Sequence, residues 1–192
     1  MAQAASPKDR IVAVAAELFA ERGYHGVSIY DLGAGMGTSG AALYKHFPSK
    51  EALLGTMLVG ISQQLLDGAH ERVATVSTGE ASEVLAALIR WHVEFAISQP
   101  ALITVQTRDF ANLAQADRRR VRELQRRYLQ LWQTAIQTAV GGSDTQTKSA
   151  AHAVFGMINS TPHIAPTSRS QTYAMLERMA TAAIQAACGK AN

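Results

Sequence analysis

The chain has one cysteine, five prolines and few aromatic residues, 6% in all. Each scarcity narrows the possibilities. A lone Cys188 cannot form an intrachain disulfide, and a cysteine-rich zinc site is excluded with it. The prolines stand at 7, 48, 100, 162 and 166, and the intervals between them carry apolar residues at helical spacing, with no alternating stretch that reads as a strand. An all-α fold is expected. No stretch of 18 residues is free of polar groups, and Met1 to Lys8 contain no apolar core of a secretion signal, so a cytoplasmic protein without a membrane partner is expected. No His-x3-His or paired-carboxylate spacing suggests a metal, and no cofactor is expected. Catalytic residues are likewise not expected: Ser39 has only His46, seven positions on, and Cys188 has no histidine near it in sequence.

What the chain does have is helical patterning with clear start and stop signals. Ser6, Pro7 and Asp9 spell a capped helix start, followed by apolar Ile11, Val14, Ala15, Leu18 and Phe19 on one face and a stop at Gly23. Ser28 and Asp31 repeat the start signal for a short second helix, with Ile29 and Leu32 facing inward and a turn at Met36 and Gly37. Thr38 or Ser39 caps a third helix predicted to reach Phe47, and Pro48 and Ser49 separate it from a fourth over about 50–73. Further helices are predicted near 81–98, 100–110, 115–140, 145–161 and 169–187, with breaks at 77–80, 141–144 and 161–170.

The stretch GTSGAALYKHFPSK, residues 37–50, carries the functional signal. Two helices joined by a glycine-containing turn, the second beginning with small residues, match a helix-turn-helix, whose second helix enters the major groove of DNA. Gly40, Ala41 and Ala42 remove bulk where a backbone must approach phosphates or base edges; Tyr44, Lys45, His46 and Lys50 supply donors for phosphate oxygens. Residues 10–54 as a whole resemble the DNA-binding head of the tetracycline-repressor family, without a gap across three helices. Arg10, Ala16, Phe19, Gly23, Ser28, Asp31, Gly37, Ser39, Leu43, Tyr44, His46, Phe47, Lys50 and Leu54 fall where that family places such residues. Gly33 departs from the usual alanine and Thr38 from the usual valine or isoleucine; the glycine is expected to loosen the second helix by about 1 kcal/mol. The resemblance implies that Ser39, Gly40, Ala41 and Lys45 face base edges, and that Ser28, Tyr30, Tyr44, His46 and Lys50 hold the phosphate backbone.

The expected division is a DNA-binding head over 1–52 and an effector-binding and dimerisation body over 53–192. Beyond residue 54 the resemblance is one of architecture. Ala150, Ala153, Val154, Met157 and Ile158, with Tyr173, Leu176, Met179, Ala180, Ala183, Ile184 and Ala187, suggest two helices that pack against a second copy, giving a homodimer. Trp91, His92, Phe95, Arg108, Phe110, Tyr128, Trp132, Phe155 and Asn159 are the candidates for an effector cavity. Six arginines between 118 and 127 read either as a solvated helix face or as an anion-binding rim for a coenzyme A thioester. The expected function is a ligand-responsive transcriptional regulator, a repressor that binds a palindromic double-stranded DNA operator as a homodimer and is released by a small apolar effector. A helical enzyme or ligand carrier without DNA binding is the rival.

Overall fold

The structure, a computed structural model, describes residues 6–76, 79–164 and 168–189. Among them lie nine α-helices and no strand. Residues 77 and 78 of the break predicted at 77–80, and 165–167 of the break at 161–170, lie outside the described residues.

The start signals act as local chemistry requires. The Ser6 hydroxyl accepts from the Asp9 N–H at 3.2 Å while the Asp9 carboxylate accepts from the Ser6 N–H at 3.0 Å, opening α1 (Pro7–Arg22). Gly23, with φ +79°, ends it and returns its N–H to the Phe19 carbonyl. Ser28 and Asp31 form the same reciprocal pair at α2 (Ile29–Gly35). Hydrogen bonds from the Ser28 side chain and backbone, with Arg22 nearby, hold the Asp31 carboxyl below its usual range.

After the turn at Gly37, α3 (Gly40–Leu43) is shorter than the predicted run to Phe47. Beyond Leu43 the chain tightens into i-to-i+3 bonds, from Lys45 to Ala42 and from His46 to Leu43, and the residue before Pro48 is disfavoured in helix. Then follow α4 (Lys50–Ala74), α5 (Ala81–Ser98), α6 (Pro100–Asp109), a 3-10 turn (Phe110–Asn112), α7 (Gln115–Ala139), α8 (Asp144–Ile158), a second 3-10 turn (Thr161–His163) and α9 (Arg169–Cys188). Gly141 and Gly142, both at φ +96°, make the break before α8.

The chain forms two compact units: Met1–Ile61 with Ala101–Arg122, and Ser62–Pro100 with Glu123–Asn192. The first runs past the expected boundary at 52 and takes in a second, later segment, because the end of α6 and the start of α7 pack with the head. Its core includes Phe19, Leu32, Leu43, Phe47, Leu54 and Leu58, each worth about 1.5–3 kcal/mol of burial. In the second unit, α9 packs on α8 and α5. Ala150, Val154, Ile158, Leu176, Ala180 and Ile184, expected at a dimer face, are buried within the chain itself. Ala153, Met179, Ala183 and Ala187 are the members left exposed.

Gly33 has a packing reason that propensity does not show. A Cβ there would stand 2.4 Å from the Gly40 backbone nitrogen, and one on Gly40 would stand 2.9 Å from the Ile29 carbonyl oxygen. The two glycines let α2 and α3 meet backbone to backbone. Gly33→Ala therefore costs about 1–3 kcal/mol through forced displacement of α3, whereas Gly37→Ala, in open space at φ +67°, costs only about 1–2 kcal/mol of backbone strain. Thermal and urea unfolding measure the loss; reduced helix-turn-helix order in amide spectra, seen for Gly33→Ala alone, separates the two causes.

Candidate nucleic-acid interface and a buried polar cluster

The head presents one set of side chains and hides another. Leu43 and Phe47 are buried, whereas Ser39, Ala41, Tyr44 and Lys45 are exposed. Tyr30, at 83% exposure, and Tyr44, at 55%, are the exposed large aromatics among the described residues. His46 is half-buried and lines, with Arg10, Thr38 and Ala42, an open groove of about 570 Å³ beside the turn at Met36.

Other polar groups of this unit are turned inward. The Lys50 ammonium donates to the carbonyls of Tyr24 at 2.9 Å and Val27 at 2.7 Å and lies 4.4 Å from the centre of the Tyr24 ring. It ties the α1–α2 loop to the first turn of α4. Burial raises the Tyr24 phenol pKa, and Glu51 adds to the shift. From the other side Arg108 donates to the Phe19 and Ala20 carbonyls, satisfying the end of α1. Buried Asp109 accepts from the Tyr24 N–H at 3.4 Å and pairs with Arg108 at 3.2 Å, and Asn112 bonds His25 at 2.9 Å. Arg118 donates to the carbonyls of Ala111 and Leu113.

In the second unit, His92, Tyr128, Trp132, Phe155 and Asn159 come together. His92 Nδ1 is 3.0 Å from the Tyr128 hydroxyl and Nε2 is 3.1 Å from Asn159 Oδ1. Phe155 stacks on the imidazole, centroids 4.9 Å apart and planes 4° from parallel, and Trp132 meets Phe155 edge-on at 5.0 Å. Burial drives the His92 pKa down to about 4, against a small opposing effect of the Asn159 bond, so the ring is neutral at physiological pH. Burial also raises the Tyr128 phenol pKa, opposed by a hydrogen bond from the Trp132 indole.

The family model described as bacterial regulatory proteins of the tetR family matches residues 11–57, and one for a tetracyclin repressor-like C-terminal domain matches 78–163. The chain belongs to the tetracycline-repressor family of transcriptional regulators. It is 24% identical over 159 residues to the HTH-type transcriptional repressor KstR2 of Rhodococcus jostii RHA1, covering 82% of this chain and 77% of that one. Its fold is similar to that of PfmR of Thermus thermophilus, with TM-score 0.80 at 21% identity over 98% of this chain and 99% of the other. It is also similar to AibR, solved in complex with isovaleryl coenzyme A and operator DNA, with TM-score 0.76 at 19% identity over 91% and 97%.

Within the tetracycline-repressor frame several expected residues have other partners. Gly40 is buried against α2, so its missing side chain serves helix packing rather than a base edge. Lys50 spends its ammonium on loop carbonyls, and the Ser28 hydroxyl is bonded to Asp31. Arg108 grips α1 and belongs to the first unit, whereas the aromatic cluster belongs to the second. Trp91 bonds the Leu65 carbonyl at 2.9 Å, fits where Gly68 has no side chain and lies under the Arg72 guanidinium at 5.0 Å, which fastens α5 to α4. Phe95 packs edge-on against Trp91 in the core. Phe110 lies under Arg122 at 5.6 Å. The grip of Asp109 and Asn112 on the α1–α2 loop was missed, although an Arg-Asp pair followed by Asn at a helix end was a signal for a capping cluster.

Two outcomes follow. Lys50→Met, which removes two carbonyl partners of a charged donor, destabilises the head by roughly 1.5–3 kcal/mol, measured by unfolding without DNA. His92 binds a proton more readily unfolded than folded, so stability is full above pH 6.5 and falls by about 1.4 kcal/mol per unit from there to about pH 4. The loss is roughly 3 kcal/mol in all. Urea unfolding across that range shows this contribution in wild type and loses it in His92→Gln.

Proposed function

We propose that this regulator is a homodimeric repressor that binds a palindromic operator through α3 and the start of α2 and releases it when a small apolar molecule occupies the second unit. The observation that carries the reading is the exposed surface of the head. Two aromatic hydroxyls, Tyr30 and Tyr44, stand in solvent with Lys45, Ser39 and Ala41, while the inner face of the same segments is core. An aromatic kept exposed beside a lysine costs apolar burial and suits phosphate and base-edge contact. His46, in the groove with Arg10 and Thr38, adds a donor at its edge.

The outward residues Met179, Ala183 and Ala187 of α9, with Ala153 of α8, are the small apolar surface on which a second copy would pack. A twofold dimer places two α3 helices on successive major-groove faces, so half-sites stand about one helical turn apart. The effector response requires a ligand that favours one position of α4, a helix that supplies residues to both units. A coenzyme A thioester is the class to try first. Arg126 and Arg127, on the part of α7 that belongs to the second unit, are exposed and suit phosphates, and AibR, of similar fold, was solved with isovaleryl coenzyme A.

Selection of bound sequences from a random duplex pool tests the head. A palindromic consensus is expected, with log K falling linearly against log salt. Lys45→Ala should weaken binding by about 1–3 kcal/mol and relax one position of each half-site. No preference for any duplex, even in dilute buffer, overturns the reading.

A further inference from the structure

The groove beside the turn at Met36 joins two kinds of lining. Its apolar part is buried Ile11 with half-buried Val14, Met36 and Ala42. Its polar groups are the exposed Arg10 and Thr38 and the half-buried His46, all of which can donate, and no carboxylate lines it. The cations of residues 6–50 have different fates. Arg22 pairs with Asp31 at 3.7 Å, and Lys50 donates to two loop carbonyls. The side chains of Lys8, Arg10 and Lys45 have no partner among the described residues, and of these three Arg10 alone lines the groove. The acid next to it, Asp9, is held by the Ser6 N–H at 3.0 Å and stands outside the lining.

Resting on the DNA-binding reading above, we infer that this groove seats a backbone phosphodiester of the operator strand that runs past α3, gripped by Arg10 from α1 and by His46 and Thr38 from the other side. Three donors with no acid facing them suit an anion rich in acceptors. The guanidinium fork matches two phosphate oxygens at once. A free phosphate would leave the apolar part of a groove of about 570 Å³ in water, and a base edge would set polar groups against Ile11, Val14 and Met36 with few partners. The sugar carbons on either side of a backbone phosphate fit that lining. Position selects the same occupant: Ala42 and His46 each follow an exposed residue of the DNA-facing set, Ala41 and Lys45, so a strand met by the one pair runs beside the other. Arg10 is then a positioning residue outside the helix-turn-helix. It carries no base information, and by holding the strand from α1 it sets how deep Ser39, Ala41 and Lys45 enter the major groove.

The test uses the full-length protein and the duplex it selects from a random pool, titrated by fluorescence anisotropy over a range of salt. Arg10→Gln is expected to weaken binding to every duplex alike, to keep the selected consensus, and to flatten the plot of log K against log salt by about 0.9 for each head engaged. Arg10→Lys, which keeps the charge, is expected to restore the slope. Duplexes carrying one neutral methylphosphonate at a time locate the contact. One position beside each half-site is expected to cost the wild type affinity and to cost Arg10→Gln nothing further. An unchanged slope in Arg10→Gln, a changed consensus, or a slope that Arg10→Lys fails to restore overturns the seat. A methylphosphonate scan with no such position also overturns it, and is the result a site for free phosphate would give. If the wild type selects a palindrome while these arms fail, the seat falls and the regulator reading stands; a wild type with no preference for any duplex removes both. The scan compares duplexes within one protein, so it does not hang on the stability of the variant.

Discussion

The approach of Gly33 to Gly40 is the constraint on which the exposed surface of α2 and α3 rests. Two helices of seven and four residues have little stability of their own, since short helices lose the nucleation balance in water. They are held by a backbone-to-backbone contact that admits no Cβ on either side, closed beneath by Leu32, Leu43 and Phe47. Because the contact is made by backbone atoms, it leaves no rotamer freedom through which α3 could shift. The exposed side chains of Ser39, Ala41 and Lys45 inherit their positions from it.

A second theme is which polar groups are spent inside and which are offered outward. Lys50, Arg108 and Arg118 each hand their protons to backbone carbonyls at helix ends or loops. Asp109 and Asn112 do the complementary work of accepting or bonding at the α1–α2 loop. These charge-assisted bonds replace the water that the loop backbone loses on packing. The groups left over, Tyr30, Tyr44 and Lys45, are those with no such duty. The division follows from where unsatisfied carbonyls occur rather than from residue type, which is why two lysines five positions apart, Lys45 and Lys50, have opposite surroundings.

The same logic explains what was legible beforehand. Caps and breaks are encoded within a few residues, so the starts at Ser6 and Ser28 and the break at Gly141 and Gly142 could be read from local chemistry. The helical character and the head's motif were legible for that reason. The role of Gly33 was not, because its reason lies seven residues away in Gly40 and appears only once the turn has folded. Arg108 was placed with the aromatic residues by its neighbours in sequence, yet its partners are some 88 positions distant. Small residues on α8 and α9 signalled close helix approach correctly, but periodicity cannot tell approach within one chain from approach between two. Burial of Ala150, Val154, Leu176 and Ala180 shows that much of that pattern serves the chain's own core.

Adjacent residues on α5 join these threads. Trp91 and His92 are consecutive, so their side chains leave the helix about 100° apart. The indole grips α4 through the Leu65 carbonyl and the space at Gly68, while the imidazole stands in the buried cluster with Tyr128, Asn159 and Phe155. A rigid helix cannot rotate one of these contacts without displacing the other. Under the proposed effector response, a ligand that repositions His92 must therefore strain or release the hold of Trp91 on α4, reinforced by Arg72 over the ring and its pair with Glu94. The coupling then needs no long chain of contacts, since one turn of α5 bears both ends of it. Its strength is bounded by the difference in contact energy between the two positions of Trp91, and a ligand that left His92 unmoved would bind without affecting α4.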